Sequence, residues 1–475
     1  MSSNTLVAET QENKMGVMPM NKLLVNMALP MIISMLIQAL YNVVDTMFVS
    51  KIEDGAGAGT AALNAVGMAF PFQMLLIAFG TGTCVGVNAI LSKALGEKDY
   101  ATVQKAANNG VFLSFMNYLL FLIIGIFLAP ILIKRQGGTG LTLEYGTQYL
   151  RLVCVASLGV YMQLMFERLL QSTGRTLVTM FTQTFGAVIN IVLDPMLIFG
   201  IGIFPELKVF GAALATVIGQ ICAAILAIIL NKKLNKDVSV SLKGFEPDKD
   251  IIRRIYVVGI PSILMQAIGS VMTFTMNKLL TSLDTGAVAV FTVYFKLQSM
   301  FFMPVFGLNN GMVPILAYNY GAQKRSRMIK VIKLTMVYAF CFLAVGFLLF
   351  ELIPDKLLLI FDTKEASLLE LGVPALRIIG IHYLLAWFCI IGGSTFQALG
   401  NGFYSLVVSI ARQLLILLPA AWIFSRIGGV AMIWWCFPVA ELMSLCMTSI
   451  FLVIIYKRII KKVPDNITIE ERVNL

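Results

Sequence analysis

Two aspartates in otherwise apolar surroundings, Asp45 and Asp194, are the residues of this 475-residue chain best placed to do chemistry. A carboxylate inside an apolar segment of membrane-spanning length costs about 2.5–3.5 kcal/mol on insertion scales, so an acid kept there points to ion or substrate handling. Neither stands alone. Ser34, Gln38, Tyr41, Asn42 and Asp45 recur at three- and four-residue spacing, as do Thr179, Gln183, Gly186, Asn190 and Asp194, and on a helix each set forms one polar stripe. Pro30 lacks an N–H and frees the carbonyl of Asn26, a source of helix bending, and Pro195 does the same for Ile191 beside Asn190 and Asp194. The alternative is a packing kink and carboxylates that serve only as seams between helices.

The elements that must position these residues are membrane spans. With 58% hydrophobic residues, 13% charged residues and a mean hydropathy of +0.85, the chain lies far from soluble domains, in which about 25% of residues are charged. Apolar runs predict an all-α integral membrane protein of twelve spans, near 23–50, 62–92, 108–133, 146–171, 176–200, 209–231, 255–282, 286–316, 332–353, 372–398, 404–424 and 429–456. Spans one and five rise in the same direction, with Asp45 and Asp194 about equally far from their ends, and span six descends to Thr216 at a similar depth. Asp45, Asn190, Asp194 and Thr216 can then converge, a hard-oxygen set suited to Na+ or a shared proton. Two carboxylates about 6 Å apart repel by roughly 3 kcal/mol at an effective dielectric near 20, so such a pair calls for a proton or a cation between them.

Of the 36 Lys and Arg, 24 fall in the segments that are inside when the N-terminus is cytoplasmic, so both termini are expected there. Arg168 and Arg175 are counted among these inside residues. The net charge of +11 is then a topology signal and needs no nucleic-acid partner. The expected organisation is a tail at 1–22, a first lobe at 23–231, a cytoplasmic link at 232–254, a second lobe at 255–456 and a tail at 457–475. The lobes read as repeats: ALP at 28–30 matches GIP at 259–261, Gly82, Gly86 and Gly96 recur 225 residues on as Gly307, Gly311 and Gly321, and QSTGRT matches QALGNG. Six spans per repeat relate the lobes by an axis along the membrane normal, a plan used for alternating access.

The second lobe does not copy the acids, since Met276 stands opposite Asp45. Its span seven has a polar face that includes Gln266 and Asn277, and Lys296, Arg412 and Glu441 fall near mid-depth, where ion pairing between helices competes with a role in a substrate cavity. Gln38, Tyr41, Asn42 and Gln183 are the first lobe's candidates for that cavity. A single histidine, His382, and seven dispersed cysteines argue against a metal centre or disulfide framework, and no Walker A, HExxH or GxSxG segment suggests an enzyme.

The ordered segments VDTMFV, FGTGTCVGVNAILSKALGEKD, NIVLDPMLIF, FGAALATVIGQ, PVFGLNNGMVPILAYNYGAQ and WWCFPVAE resemble the MATE (multidrug and toxic compound extrusion) family from about Asn21 to Tyr456, nearest its bacterial DinF-like and MepA-like branch. The resemblance implies a V-shaped pair of pseudo-symmetric six-helix lobes, and export of organic cations or amphipathic drugs in exchange for H+ or Na+. It matches the branch's cation site to Asp45, Asn190, Asp194 and Thr216, and its bending proline to Pro30. The chain departs from the NorM-like branch, which has an acid in span seven where Ser270 stands here, so a second-lobe cation site is not expected. No cofactor beyond the coupling ion is expected, and the predicted setting is a bacterial plasma (inner) membrane, with a monomer moving small molecules among lipids. The rival within transport is a flippase for a lipid-linked or polysaccharide precursor, which a strongly positive central cavity would favour.

Overall fold

The computed structural model describes residues 12–49, 51–52, 58–241, 243–359 and 366–467. Among the described residues ten helices are long and apolar enough to cross a membrane: α1 (Met20–Val49), α2 (Ala58–Gly96), α3 (Tyr100–Arg135), α5 (Thr176–Phe199), α6 (Lys208–Leu234), α7 (Lys249–Thr281), α8 (Thr285–Gly321), α9 (Arg325–Leu352), α11 (Gly402–Ile433) and α12 (Cys436–Arg458). Two broken spans complete the twelve: α4 joins Gly140–Val155 to Leu158–Ser172 with a 46° bend, and α10 joins Leu369–Gly380 to Tyr383–Ala398 with a 50° bend. The chain is a multi-pass membrane protein. Leu40, Val43, Phe127, Phe274, Leu352 and Ile427 are each exposed on this bundle, which in a bilayer places them against lipid.

The ends of the helices follow local chemistry. Asp99 caps α3 through Thr102 N–H, and its hydroxyl bond from Thr102 holds this carboxyl below the usual carboxylate range. Asp248 caps α7, and its link to Lys105 at 3.0 Å holds the carboxyl low in the same way while tying the 232–254 segment to α3. Gly174 in QSTGRT and Gly400 in QALGNG both take left-handed backbone, φ +85° and +79°, so the repeated motif is a repeated turn. Helical geometry of α11 also lapses at Gly428 and Gly429, ahead of one further turn and then α12.

The glycine repeat lies where α1–α6 meets α7–α12. A Cβ on Gly86 of α2 would come within 2.1 Å of the Ile255 carbonyl oxygen of α7, and one on Gly82 would meet Gly259 of the GIP motif. The related contact pairs α8 with α1: a Cβ on Gly311 would fall 2.8 Å from Ala28 of the ALP motif, and one on Gly307 would meet Ile32. Gly96 and Gly321 lie against each other's helix, at Tyr318 and Lys93. The paired motifs are therefore the seam between the halves, made by backbones packed closer than any side chain allows. Gly82 to Gly96 covers about 21 Å, so the seam runs from mid-depth to the end of the bundle that carries the termini. There the short turn Lys14–Val17 bridges the halves: Asn13 donates to the Thr173 carbonyl, while Arg327 donates to the carbonyls of Met15 and Met18 and Asn319 donates to that of Met15.

Candidate cation and substrate site

Helices α5 and α6 cross at small residues. A Cβ on Gly219 would lie 2.7 Å from the Gly186 carbonyl oxygen, and one on Gly186 would lie 2.9 Å from Ala223 Cβ. Asn190 sits one turn beyond Gly186, and Thr216 one turn before Gly219, so this crossing brings the two together. Asn190 Nδ2 donates to Thr216 Oγ1 at 3.1 Å and lies 3.5 Å from Asp194 Oδ1. Asp194 is fully buried, Asn190 and Thr216 nearly so. Asp45 reaches the same place from α1, within range of the charge of Asp194, and Tyr41 and Tyr149 lie within range of both carboxylates.

What marks this cluster is unmet valence. Asp45 Oδ1, Asp194 Oδ2 and Asn190 Oδ1 are each buried without a hydrogen-bond partner. A buried acceptor left unpaired costs about 1–3 kcal/mol, more for a charged group, and three in one place fit a proton or a hard monovalent cation held by oxygen. The set fits Na+ as well as H+: two carboxylates, an amide oxygen and the Thr216 hydroxyl. Among the described residues no three His, Cys, Asp or Glu gather as a metal site.

The carboxylates do not face the neighbouring cavity directly. Asn190 and Thr216 do, forming part of the wall of a chamber of about 180 Å³ lined by α1, α2, α4, α5 and α6 with Asn310 of α8. Gln38, Tyr41 and Gln183 line it, as do Met31, Met35 and Leu164. Ser34 is buried on the same face of α1, whereas Asn42, predicted for the cavity, is exposed and outside its lining: one helical step from Tyr41 turns it away. Pro30 leaves α1 unbroken, and the Asn26 carbonyl it frees accepts from Thr176 Oγ1 of α5 at 3.5 Å. Pro30 thus ties α1 to α5 through the carbonyl that it frees.

Sequence reasoning missed Glu167. It is 1% exposed, lines the chamber, and accepts from Gln163 Nε2 at 3.1 Å and Thr182 Oγ1 at 3.0 Å on one oxygen, and from Gln183 Nε2 at 2.7 Å on the other. The available signal was the spacing of Gln163, Glu167 and Gln171, the same four-residue repeat that marks α1. Arg168, assigned from sequence to the inside surface, instead belongs within α4 and lines this chamber and a second one. That second chamber, of about 300 Å³, lies between the halves and is lined by α2, α7, α8, α10, α11 and α12 with Arg168.

The second-half candidates divide. Arg412, on a π-helical stretch of α11 (Ala411–Leu417), pairs with Glu441 of α12 at 3.2 Å, and Arg412 lines the second chamber. Lys296 is exposed on α8 and lines neither chamber. Gln266 donates to Thr81 Oγ1 at 2.8 Å across the seam, and Asn277 keeps a buried Oδ1 without a partner on α7; both lie outside the two linings. Met276 is fully buried where the repeat places it opposite Asp45. His382 is buried at the break of α10 with Nδ1 on the Ile379 carbonyl, an interior residue rather than a lining one.

This fold, a seam between two six-helix halves beside a buried oxygen cluster, is that of a two-lobe membrane transporter. The MatE family model matches residues 30–196 and 261–423, one segment in each half, and the chain belongs to the MatE family. It is 26% identical over 441 residues to the multidrug export protein MepA of Staphylococcus aureus (strain bovine RF122 / ET3-1), covering 92% of this chain and 94% of that protein. MepA of Staphylococcus haemolyticus (strain JCSC1435) is 26% identical over 420 residues, 88% of this chain and 90% of its own. Among solved structures, an outward-facing multidrug resistance MATE transporter superposes with a TM-score of 0.87 at 23% identity, over 95% of this chain and 99% of that one.

Proposed function

We propose that the protein is a secondary-active exporter of organic cations and amphipathic drugs, driven by inward movement of H+ or Na+ through the Asp45, Asn190, Asp194 and Thr216 cluster. The observation that carries this reading is the trio of buried, unpartnered oxygens beside the 180 Å³ chamber, to whose wall Asn190 and Thr216 belong. A cation entering the cluster recruits Asn190 Oδ1, turns its amide and alters the chamber wall, so ion and substrate compete through one shared side chain. Glu167 gives that chamber a carboxylate for an ammonium group, and Met31, Met35 and Tyr41 give it adaptable apolar and aromatic surface. The names of the MepA relatives agree with drug export.

The protein is placed in a bacterial plasma membrane with both termini cytoplasmic, acting as a monomer. The glycine seam then closes the cytoplasmic side, and the cluster lies toward the outside. The flippase reading has one observation in its favour, the second chamber with Arg168 and Arg412 in its wall and no carboxylate among its described lining residues. Efflux of a fluorescent organic cation from proteoliposomes, under a pH gradient and then a Na+ gradient, tests the proposal. Gradient-driven movement that Asp194→Asn abolishes supports it and identifies the ion. Movement under neither gradient by folded protein removes it and leaves the flippase.

A further inference from the structure

We propose that the chamber between the halves is an anion subsite, so that the preferred substrates are zwitterionic amphiphiles whose ammonium group lies at Glu167 and whose carboxylate lies between Arg168 and Arg412. The inference rests on the exporter reading and names its substrate class. Two guanidiniums line that chamber, and none of its described lining residues is acidic. Each has five N–H donors, few of them spent. Arg412 gives one Nη to Glu441 Oε2 and remains about one-third exposed, while Arg168 has a single long bond, 3.5 Å, to Asn310. The neighbouring Glu167 does not neutralise Arg168 by hydrogen bonding, because Gln163, Thr182 and Gln183 occupy its oxygens.

Arg412 is matched by Glu441, and Arg168 only by the charge of Glu167, which lies within range of it without a hydrogen bond, in a region where an unmatched guanidinium is costly. An ammonium group that engages Glu167 leaves Arg168 uncompensated; a carboxylate on the same molecule supplies the charge, and the planar fork of arginine suits it in a way that a lysine does not. The chamber also offers polar groups without partners: the Ser444 hydroxyl, 1% exposed, and one terminus of the fully buried Asn88 amide. Arg168 and Asn310 line both chambers and stand between them, 3.5 Å apart, so an elongated molecule that parts this contact reaches Glu167 on one side and Arg412 on the other.

The test compares a fluorescent aromatic compound that carries an alkylammonium group and a carboxylate with its methyl ester, which keeps the ammonium group and masks the anion. Binding to the purified full-length protein in nanodiscs is followed by anisotropy. The acid should bind about tenfold more tightly than the ester, the increment of one charge-assisted hydrogen bond. Arg168→Gln should bring the ratio of the two affinities to about one. So should the double variant Arg412→Gln with Glu441→Gln, which leaves no unpaired charge to disturb folding. Equal affinity for ester and acid overturns the subsite and leaves the exporter reading standing, whereas failure of proteoliposomes to export either compound under both gradients overturns that reading. A preference retained in both variants assigns the carboxylate to other residues and refutes the inference. A preference that phosphatidylglycerol in the nanodisc abolishes also refutes it, since a lipid headgroup phosphate is then the occupant.

Discussion

A single methyl group on the glycine seam should shift which side of the membrane the protein opens to. In Gly86→Ala the new Cβ would lie 2.1 Å from the Ile255 carbonyl oxygen and 2.9 Å from its carbon, where ordinary contact is 3.4 Å or more. Both contacts are backbone, so no side chain can swing away, and α2 must separate from α7 by roughly 1 Å, an overpacking cost of about 1–3 kcal/mol. That cost falls on the state with the seam closed and is relieved when the seam opens, so the ratio of open to closed protein should rise by about 5- to 150-fold. Gly67→Ala is the control: it lies on the same helix, and a Cβ there meets nothing within 4 Å. Cys84, two residues from Gly86 and 2% exposed, is a native reporter. Its alkylation by a membrane-impermeant maleimide, located by mass spectrometry, should be faster in Gly86→Ala than in Gly67→Ala. Equal labelling of the two, in protein that elutes as folded, would refute the assignment of the seam as the closed gate.

Three further outcomes follow from the same geometry. Glu167→Gln removes the only carboxylate among the described residues of the first chamber's wall, and should raise the KM for an organic cation by about tenfold, as measured in concentration-dependent efflux. Glu441→Met leaves Arg412 charged and unpaired, and should destabilise the fold by about 3–5 kcal/mol. Much of that should return when Arg412→Met is added to Glu441→Met, with melting temperature and a double-mutant cycle as the readouts. Asp99→Ala removes the cap of α3 at a cost of about 1 kcal/mol. The Asp99 carboxyl is held low by Thr102, so its contribution is present above the unfolded value near 3.9 and lost as pH falls through the lower folded value; stability of wild type and variant should differ at pH 7 and converge in acid.

The sequence made most of the fold legible because a bilayer reduces it to run length: an apolar stretch of about 20 residues has few alternatives to a helix. The repeats were legible for a related reason, since glycines recurring 225 residues apart mark backbones that must touch, and they prove to touch across the seam. The breaks in α4 and α10 were not legible. They fall at Ala156–Ser157 and, directly after Gly380, at Ile381–His382; neither break carries a proline, and one glycine inside a long apolar run does not separate a break from close packing. The candidate site divides along the same line. Asp45, Asn190, Asp194 and Thr216 sit at matched depths on neighbouring helices, and depth follows from counting residues. Glu167 and Arg168 escaped because they lie near the end of the predicted span 146–171, where a charged pair reads as an interfacial anchor. Only the tertiary arrangement, which sets three donors from α4 and α5 around Glu167, shows it to be interior. Asn42 and Lys296, polar residues at similar depth, lie outside the linings of both chambers.

The central claim is that cation and substrate compete through the Asp45 and Asp194 cluster. The most direct measurement is the affinity of a fluorescent organic cation for the purified protein, titrated against H+ and against Na+, in wild type and in the double variant Asp45→Asn with Asp194→Asn. The account predicts that one of the two ions weakens probe binding in wild type and that the double variant binds the probe with no dependence on either. Competition that survives in the double variant, or none in the wild type, would contradict it.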